Sequence, residues 1–370
     1  MSALTLGLLS LAAVVAPPLL AQAGDAGARV ERVGDGVYAI IHDDATTEWP
    51  SGVTDWPHGN TGVVVGDDGV LVVDATYLPS RARADIALIR SITDKPVRYL
   101  VNTHWHFDHN NGNVAYRDAF PGVAIVSARE NRHFIELNNA RYPRYATSPD
   151  SPKRATLRQL EALLASGRDS AGRPLSADAR KSLEANVRRR RGELEELVSL
   201  RVVPPNLLFD RELTLFLGGR RVELRNWGRA NSPDDVTVYL PDDRVLFAGD
   251  ILVHPVPYAY SSYPVPWVDV LRGVEALPVV AVVPGHGPVL RDHGYTRRVR
   301  ALLEAVAARV DSMSRRGMTV DQIRAGIDLE DLRATFVTGD DPTARELWES
   351  SIKKALVERT RACVVGLDGC

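Results

Sequence analysis

The sequence predicts an α/β protein built in layers, and three observations carry that prediction. Strand-like and helix-like segments alternate along two successive halves of the chain, which suggests sheets covered by helices. Several strands are short β-branched runs, as in GVVVGDDGVLVVD (62–74) and VVAVVP (279–284), the pattern of strands buried on both faces. With 370 residues, 45% of them hydrophobic and 25% charged, there is apolar material for one large domain or a domain with an appended lobe. The 45 basic residues against 47 acidic ones leave no electrostatic footprint for a nucleic-acid or membrane-surface partner and argue against extensive disorder.

Residues 3–21 are almost wholly apolar and run into Ala21-Gln22-Ala23, a small-x-small cleavage pattern. Residues 1–23 therefore read as a signal peptide, and the mature protein is expected in the periplasm or outside the cell, without stable membrane association. No Lys or Arg precedes the apolar run, so an uncleaved membrane anchor or a misassigned start codon is the alternative. The main domain is expected over 24–294.

Within it, VERVGDGVYAIIH (30–42) and 62–74 each carry hairpin punctuation, Gly34-Asp35-Gly36 and Asp67-Asp68-Gly69. A helix follows at 80–93, then strands at 97–102 and 122–127. Residues 134–200 change character and read as an inserted helical pair. Ser151 with Pro152 opens its first helix and Gly167 ends it, while Ser176 opens the second. Arg188 to Arg191 spread round a helical turn and read as a solvated surface. Strands resume at 213–225, 235–240 and 244–249, followed by a helix at 267–276 and the strand at 279–284. From 295 to 370 the chain reads as a helical extension, with a capping box at Thr319 and Gln322 and a last helix opened by Asp341-Pro342. Cys363 and Cys370 either close a short loop or remain free.

The chemistry concentrates at Asn102-Thr103-His104-Trp105-His106-Phe107-Asp108-His109, directly after a predicted strand. Residues two apart on an extended chain project to one side, so His104 and His106 point together, and Asp108 and His109 follow where the chain must turn. Three imidazoles and a carboxylate this close are a ligand set for zinc, with iron or manganese as alternatives. Asp250, ending VLFAGD, and His286, in PGHG, sit at the ends of predicted strands and are further candidate ligands. Asp74, ending GVLVVD, is a candidate carboxylate for orienting a ligand His.

These pieces, HxHxDH at 104–109 with Asp74, Asp250 and His286 in order, resemble the metallo-β-lactamase fold superfamily over about residues 30–290. The resemblance implies an αβ/βα four-layer sandwich. It implies His104 and His106 at a first metal, Asp108, His109 and His286 at a second, and Asp250 bridging both. Many members carry a third first-site His where this chain has Asn231, a neutral and weaker donor. The second site is accordingly expected to fill first. His58 and His254 are the loop histidines that could make up the missing first-site ligand.

Such a site predicts metal-assisted hydrolysis, with water brought toward neutral pKa and Asp108 orienting the nucleophile or moving its proton. No Gly-x-Ser-x-Gly elbow, phosphate-binding glycine loop or nearby Cys competes with that reading. Aromatic segments carrying Trp49, Trp56 and His58, and Tyr258, Tyr260, Tyr263 and Trp267, suggest a rim for a small partly apolar carbonyl substrate: a β-lactam, lactone or ester. Two other classes stay open: a mononuclear iron oxidoreductase acting on a sulfur substrate, and a non-catalytic metal- or ligand-binding protein.

Overall fold

The computed structural model describes residues 28–42, 59–367 and 370. The signal-peptide expectation at 1–23 and the rim candidates Trp49, Trp56 and His58 lie outside the described residues. Among the described residues, no helix is long and apolar enough to cross a membrane.

The first half of the chain builds a seven-stranded sheet. β1 (Ala28–Gly34) and β2 (Val37–His42) form one hairpin, and β3 (Thr61–Val65) and β4 (Val70–Val73) the other, both at the turns expected. α1 (Pro79–Ile92) crosses to β5 (Val97–Val101), parallel to β4. The short α2 (Phe107–Asn110) and α3 (Asn113–Ala119) lead to β6 (Ala124–Ala128). A helical excursion then runs through α4 (Arg129–Phe134), a π-helical turn at Ile135–Asn139, α5 (Tyr142–Thr147), α6 (Pro152–Ser166) and α7 (Ala177–Ser199). β7 (Leu207–Phe209) closes the sheet, whose strand order is β1 to β7.

The second half builds a five-stranded sheet from β8 (Glu212–Leu217), β9 (Arg220–Asn226), β10 (Val236–Leu240), β11 (Val245–Val253) and β12 (Ala281–His286), in the order β12-β11-β10-β9-β8. α8 (Pro264–Glu275) joins β11 to its parallel neighbour β12. α9 (Gly294–Arg315), α10 (Val320–Gly326), α11 (Glu330–Phe336), α12 (Pro342–Leu347), a π-helical stretch at Trp348–Leu356 and α13 (Val357–Val364) follow.

Side-chain alternation along the strands makes the layers. On β2, Val37, Ala39 and Ile41 enter the core between the sheets, whereas Ile40 packs outward with Ile86 and Ile89 of α1. On β11, Val245 and Phe247 face the same central core, and Leu246 and Ala248 face α8 and α9 on the far side. The result is helix, sheet, sheet, helix: the αβ/βα sandwich expected.

Four sequence expectations need revision. Segment 213–225 is two strands joined at Gly218-Gly219, because Gly218 adopts φ +63° and turns the chain back. β11 does not stop at Asp250 but continues to Val253, with its pairing to β12 shifted around Gly249. The helical insertion holds more than a pair, since α4, the π-helical turn and α5 precede α6. Arg190 is not solvated: it is 4% exposed and donates to Glu193 at 2.8 Å, a local ion pair that makes its burial tolerable. Cys363 and Cys370, left open by the sequence, are disulfide-bonded.

Trp348 is fully buried in the cluster that also contains Trp267, Val299 and Leu303, so the C-terminal helices share a core with the second sheet. Trp348→Ala is expected to cost about 3–5 kcal/mol in urea unfolding while retaining a single transition; a separate early transition of small amplitude would contradict a shared core.

Candidate metal centre

The chain brings its candidate ligands to one edge of the sandwich from beyond the end of β5, from within β11 and from the end of β12, with Asp74 after β4 beside them. β5 runs out at Val101 into the buried Asn102 and Thr103, and the next six residues carry the imidazoles. Asn110 ties this loop together, its Nδ2 donating to the carbonyls of Trp105 at 2.9 Å and His106 at 2.6 Å. Asp74 follows β4 in left-handed backbone (φ +63°), a conformation non-glycine residues rarely adopt. β11 supplies Asp250 and β12 ends on His286. Between them Gly285 is obligatory: a Cβ there would meet Asp250 Oδ1 at 2.0 Å.

Two compact donor groups result. His104, His109 and Asp250 place ligand atoms within 4.8 Å of one another, as do Asp108, His109 and His286. Asp250 faces both ways. Its Oδ2 lies 3.7 Å from His104 Nε2, and its Oδ1 lies 3.2 Å from His109 Nε2 and 3.5 Å from His286 Nε2. Asp108 Oδ2 closes the second group at 3.2 Å from His286 Nε2. His106 Nδ1 comes to 2.9 Å from His104 Nε2 but stands outside both groups, a refinement of the expected first site.

Hydrogen bonds fix which ring nitrogens remain available. Asp74 Oδ2 accepts from His109 Nδ1 at 2.8 Å and from Thr103 Oγ1 at 2.8 Å. With its proton committed, Thr103 Oγ1 accepts from His104 Nδ1 at 3.0 Å. One carboxylate therefore orients His109 directly and His104 through Thr103, leaving both Nε2 atoms inward. Outside the ring, His106 Nε2 pairs with Ser261 Oγ at 2.9 Å, which turns its Nδ1 toward His104.

The electrostatics fit a divalent cation. Burial pushes the His104 and His106 imidazoles down, which favours their neutral forms. Burial would raise the Asp108 and Asp250 carboxyls, yet His109 and the other imidazoles hold both well below the usual range. Burial would likewise lower His109, but Asp250, Asp108 and Asp74 together drive it well above its ordinary value. Buried anions are thus drawing positive charge onto a ring whose Nε2 faces another imidazole nitrogen, His286 Nε2, at 3.2 Å. The neutral His104 and His106 imidazoles and the ionised Asp108 and Asp250 carboxylates are donors of the kind that zinc or a similar ion takes.

Comparison with known proteins places the fold and the family. Residues 54–311 match the profile of the metallo-beta-lactamase superfamily. The chain belongs to that superfamily. It is 26% identical over 290 residues to a linear primary-alkylsulfatase of Pseudomonas sp., a match covering 75% of this chain and 50% of the relative. The chain thus spans about half the length of that curated relative. Among solved structures, a metallo-beta-lactamase from Pontibacter korlensis superposes with TM-score 0.52 at 18% identity, over 75% of this chain and 99% of that one. The sec-alkyl sulfatase PisA1, as a double mutant, superposes with TM-score 0.58 at 16% identity, over 90% of this chain and 49% of that one.

In this superfamily member, Asn231 is buried, its Nδ2 donates to the Tyr258 carbonyl, and its Oδ1 has no hydrogen-bond partner. Tyr258 is buried with its ring centroid 5.1 Å from that of His286, and Tyr260 lies beside it at 6.3 Å, bonded to Ser350. Tyr263 has the guanidinium groups of Arg229 and Arg359 over its ring, 5.2 and 5.4 Å from the centroid. His254 packs on Tyr295 at 5.1 Å and belongs to neither donor group. Sequence reading missed Thr103 and Ser261, because a hydroxyl that orients a ligand has no spacing signature of its own.

Asp74→Asn preserves shape but removes the charge that aligns His109. Zinc affinity, measured by chelator competition, is expected to fall about 10–100-fold; unchanged affinity would contradict the orienting role.

Proposed function

We propose that this chain is a metal-dependent hydrolase that opens a C–O or C–N bond in a small carbonyl substrate such as a β-lactam, lactone or ester. The observation that carries the reading is the Asp250 carboxylate, one oxygen turned to His104 and the other to His109 and His286. It makes two adjacent donor sets suited to one or two zinc ions, with His104 and Asp250 on one side, where His106 would have to turn inward to join them, and Asp108, His109, His286 and Asp250 on the other. Zinc bound there would act as a Lewis acid on the substrate oxygen and bring water toward a neutral pKa.

The protein's own part is positioning and proton handling. Asp108 is the most solvent-accessible carboxylate of the group, at 15% side-chain exposure against 2% for Asp250. It is therefore the carboxylate placed to orient an incoming water. Asp74 and Thr103 keep His104 and His109 in one tautomer and one orientation. Tyr258 walls the His286 side and excludes water there. With Asn231 in place of a third imidazole, the set of Asp108, His109 and His286 binds its ion more tightly than the other.

A second reading is hydrolysis of an alkyl sulfate, favoured by the similarity to the linear primary-alkylsulfatase. The non-catalytic alternative and the iron oxidoreductase find no added support in the site, since neither calls for two donor sets sharing a carboxylate.

Zinc-loaded protein is expected to hydrolyse a member of a panel of β-lactam, lactone, carboxylic ester and primary alkyl sulfate, and to lose that activity to a chelator. Iron as the bound metal, or no turnover across the panel, would overturn the reading. In parallel, Asn231→His is expected to raise zinc occupancy toward two ions per chain; unchanged stoichiometry would remove Asn231 from the site.

A further inference from the structure

The helical insertion makes direct contact with the ligand-bearing loop, at atoms that matter for its shape. Asn139, at the end of the π-helical turn, donates from Nδ2 to the Trp105 carbonyl at 2.7 Å and to Asn110 Oδ1 at 2.9 Å. Trp105 lies between the two first-set imidazoles, and Asn110 is the residue whose amide gathers the carbonyls of 105 and 106. Asn139 is 1% exposed, so water cannot take over these bonds. Three residues on, the Tyr142 ring stacks on Phe107 with centroids 4.3 Å apart and planes 9° apart. Phe107 directly precedes Asp108.

The Tyr142 hydroxyl is itself anchored. It lies 3.0 Å from Tyr77 Oη, which donates to Glu193 Oε1 at 2.9 Å; Lys153 and Arg190 neutralise that carboxylate. Tyr77 follows Asp74 by three residues. A buried ion-pair network on α6 and α7 therefore reaches both the Asp74 turn and the Asp108 turn. π-Helical turns cost hydrogen-bond geometry and concentrate where a side chain must be aimed.

We propose that the helical insertion is the clamp that holds the 104–110 loop in its metal-ready shape, with Asn139 and Tyr142 as positioning residues. Neither touches the metal ligands' donor atoms. Each acts through the backbone of Trp105 or the ring of Phe107. The proposal rests on the metal-centre reading and assigns to the insertion a share of the centre's affinity.

The test compares full-length wild type, Asn139→Ala, Asn139→Ser, Tyr142→Leu and a control, Leu303→Ala, which lowers stability from the buried face of α9 far along the chain from the loop. Thermal stability of the apo form, zinc affinity by chelator competition and the visible absorption of the cobalt(II)-loaded protein are read for each. Asn139→Ala is expected to weaken zinc binding about tenfold or more and to alter the cobalt bands, with Asn139→Ser partly restoring both because its hydroxyl can donate one bond. Tyr142→Leu is expected to weaken zinc binding severalfold, and Leu303→Ala to lower the melting temperature with zinc affinity and cobalt bands unchanged. If Asn139→Ala and Tyr142→Leu match Leu303→Ala, losing stability alone, the clamp is overturned while the centre stands. If wild type itself takes up no zinc or cobalt, the centre falls and the clamp with it.

Discussion

Asp74, Asp108 and Asp250 converge on four imidazoles in a largely buried site that opens to solvent at Asp108. Carboxylates in such surroundings are costly unless matched by positive charge and hydrogen bonds. The chain supplies hydrogen bonds from Thr103 and His109, but the ring nitrogens that face inward are needed as donors of electron pairs, not of protons. A divalent cation would satisfy the whole set, and the surrounding architecture keeps that set together.

The sandwich contributes by bringing distant segments to one edge. β4, β5 and β12 end there and β11 passes through at Asp250, and parallel pairing of β4 with β5 and of β11 with β12 brings these positions together. Close approach of β12 to β11 depends on Gly285, and the turn of the chain at Asp74 depends on a backbone conformation that its bonds to Thr103 and His109 hold in place. The C-terminal helices reach the same edge from the other side. Ser351 accepts from the Ala259 amide and donates to the Pro257 carbonyl, fixing the segment that presents Tyr258 and Ser261.

Much of this was legible in the sequence. Val37, Ala39 and Ile41 against Ile40 announce a two-faced strand, and Ser151-Pro152 with Gly167 announces both ends of α6, because alternation and capping are local rules. The 104–109 cluster was legible because its ligands are contiguous. What local rules could not give was anything decided by partners far away in the chain. The burial of Arg190 follows from the packing of α6 on α7. The extension of β11 past Asp250 follows from a neighbouring strand thirty-odd residues on, and the placing of Tyr263 from Arg359. Asn139 carried no signal at all, since its meaning lies in a carbonyl thirty-four positions earlier.

The most direct measurement is anomalous diffraction at the zinc absorption edge from crystals of zinc-loaded protein. The account predicts an anomalous peak enclosed by Asp108, His109, His286 and Asp250, with a second, weaker one beside His104 and His106. Zinc bound elsewhere, or no peak among these side chains under saturating metal, would contradict it.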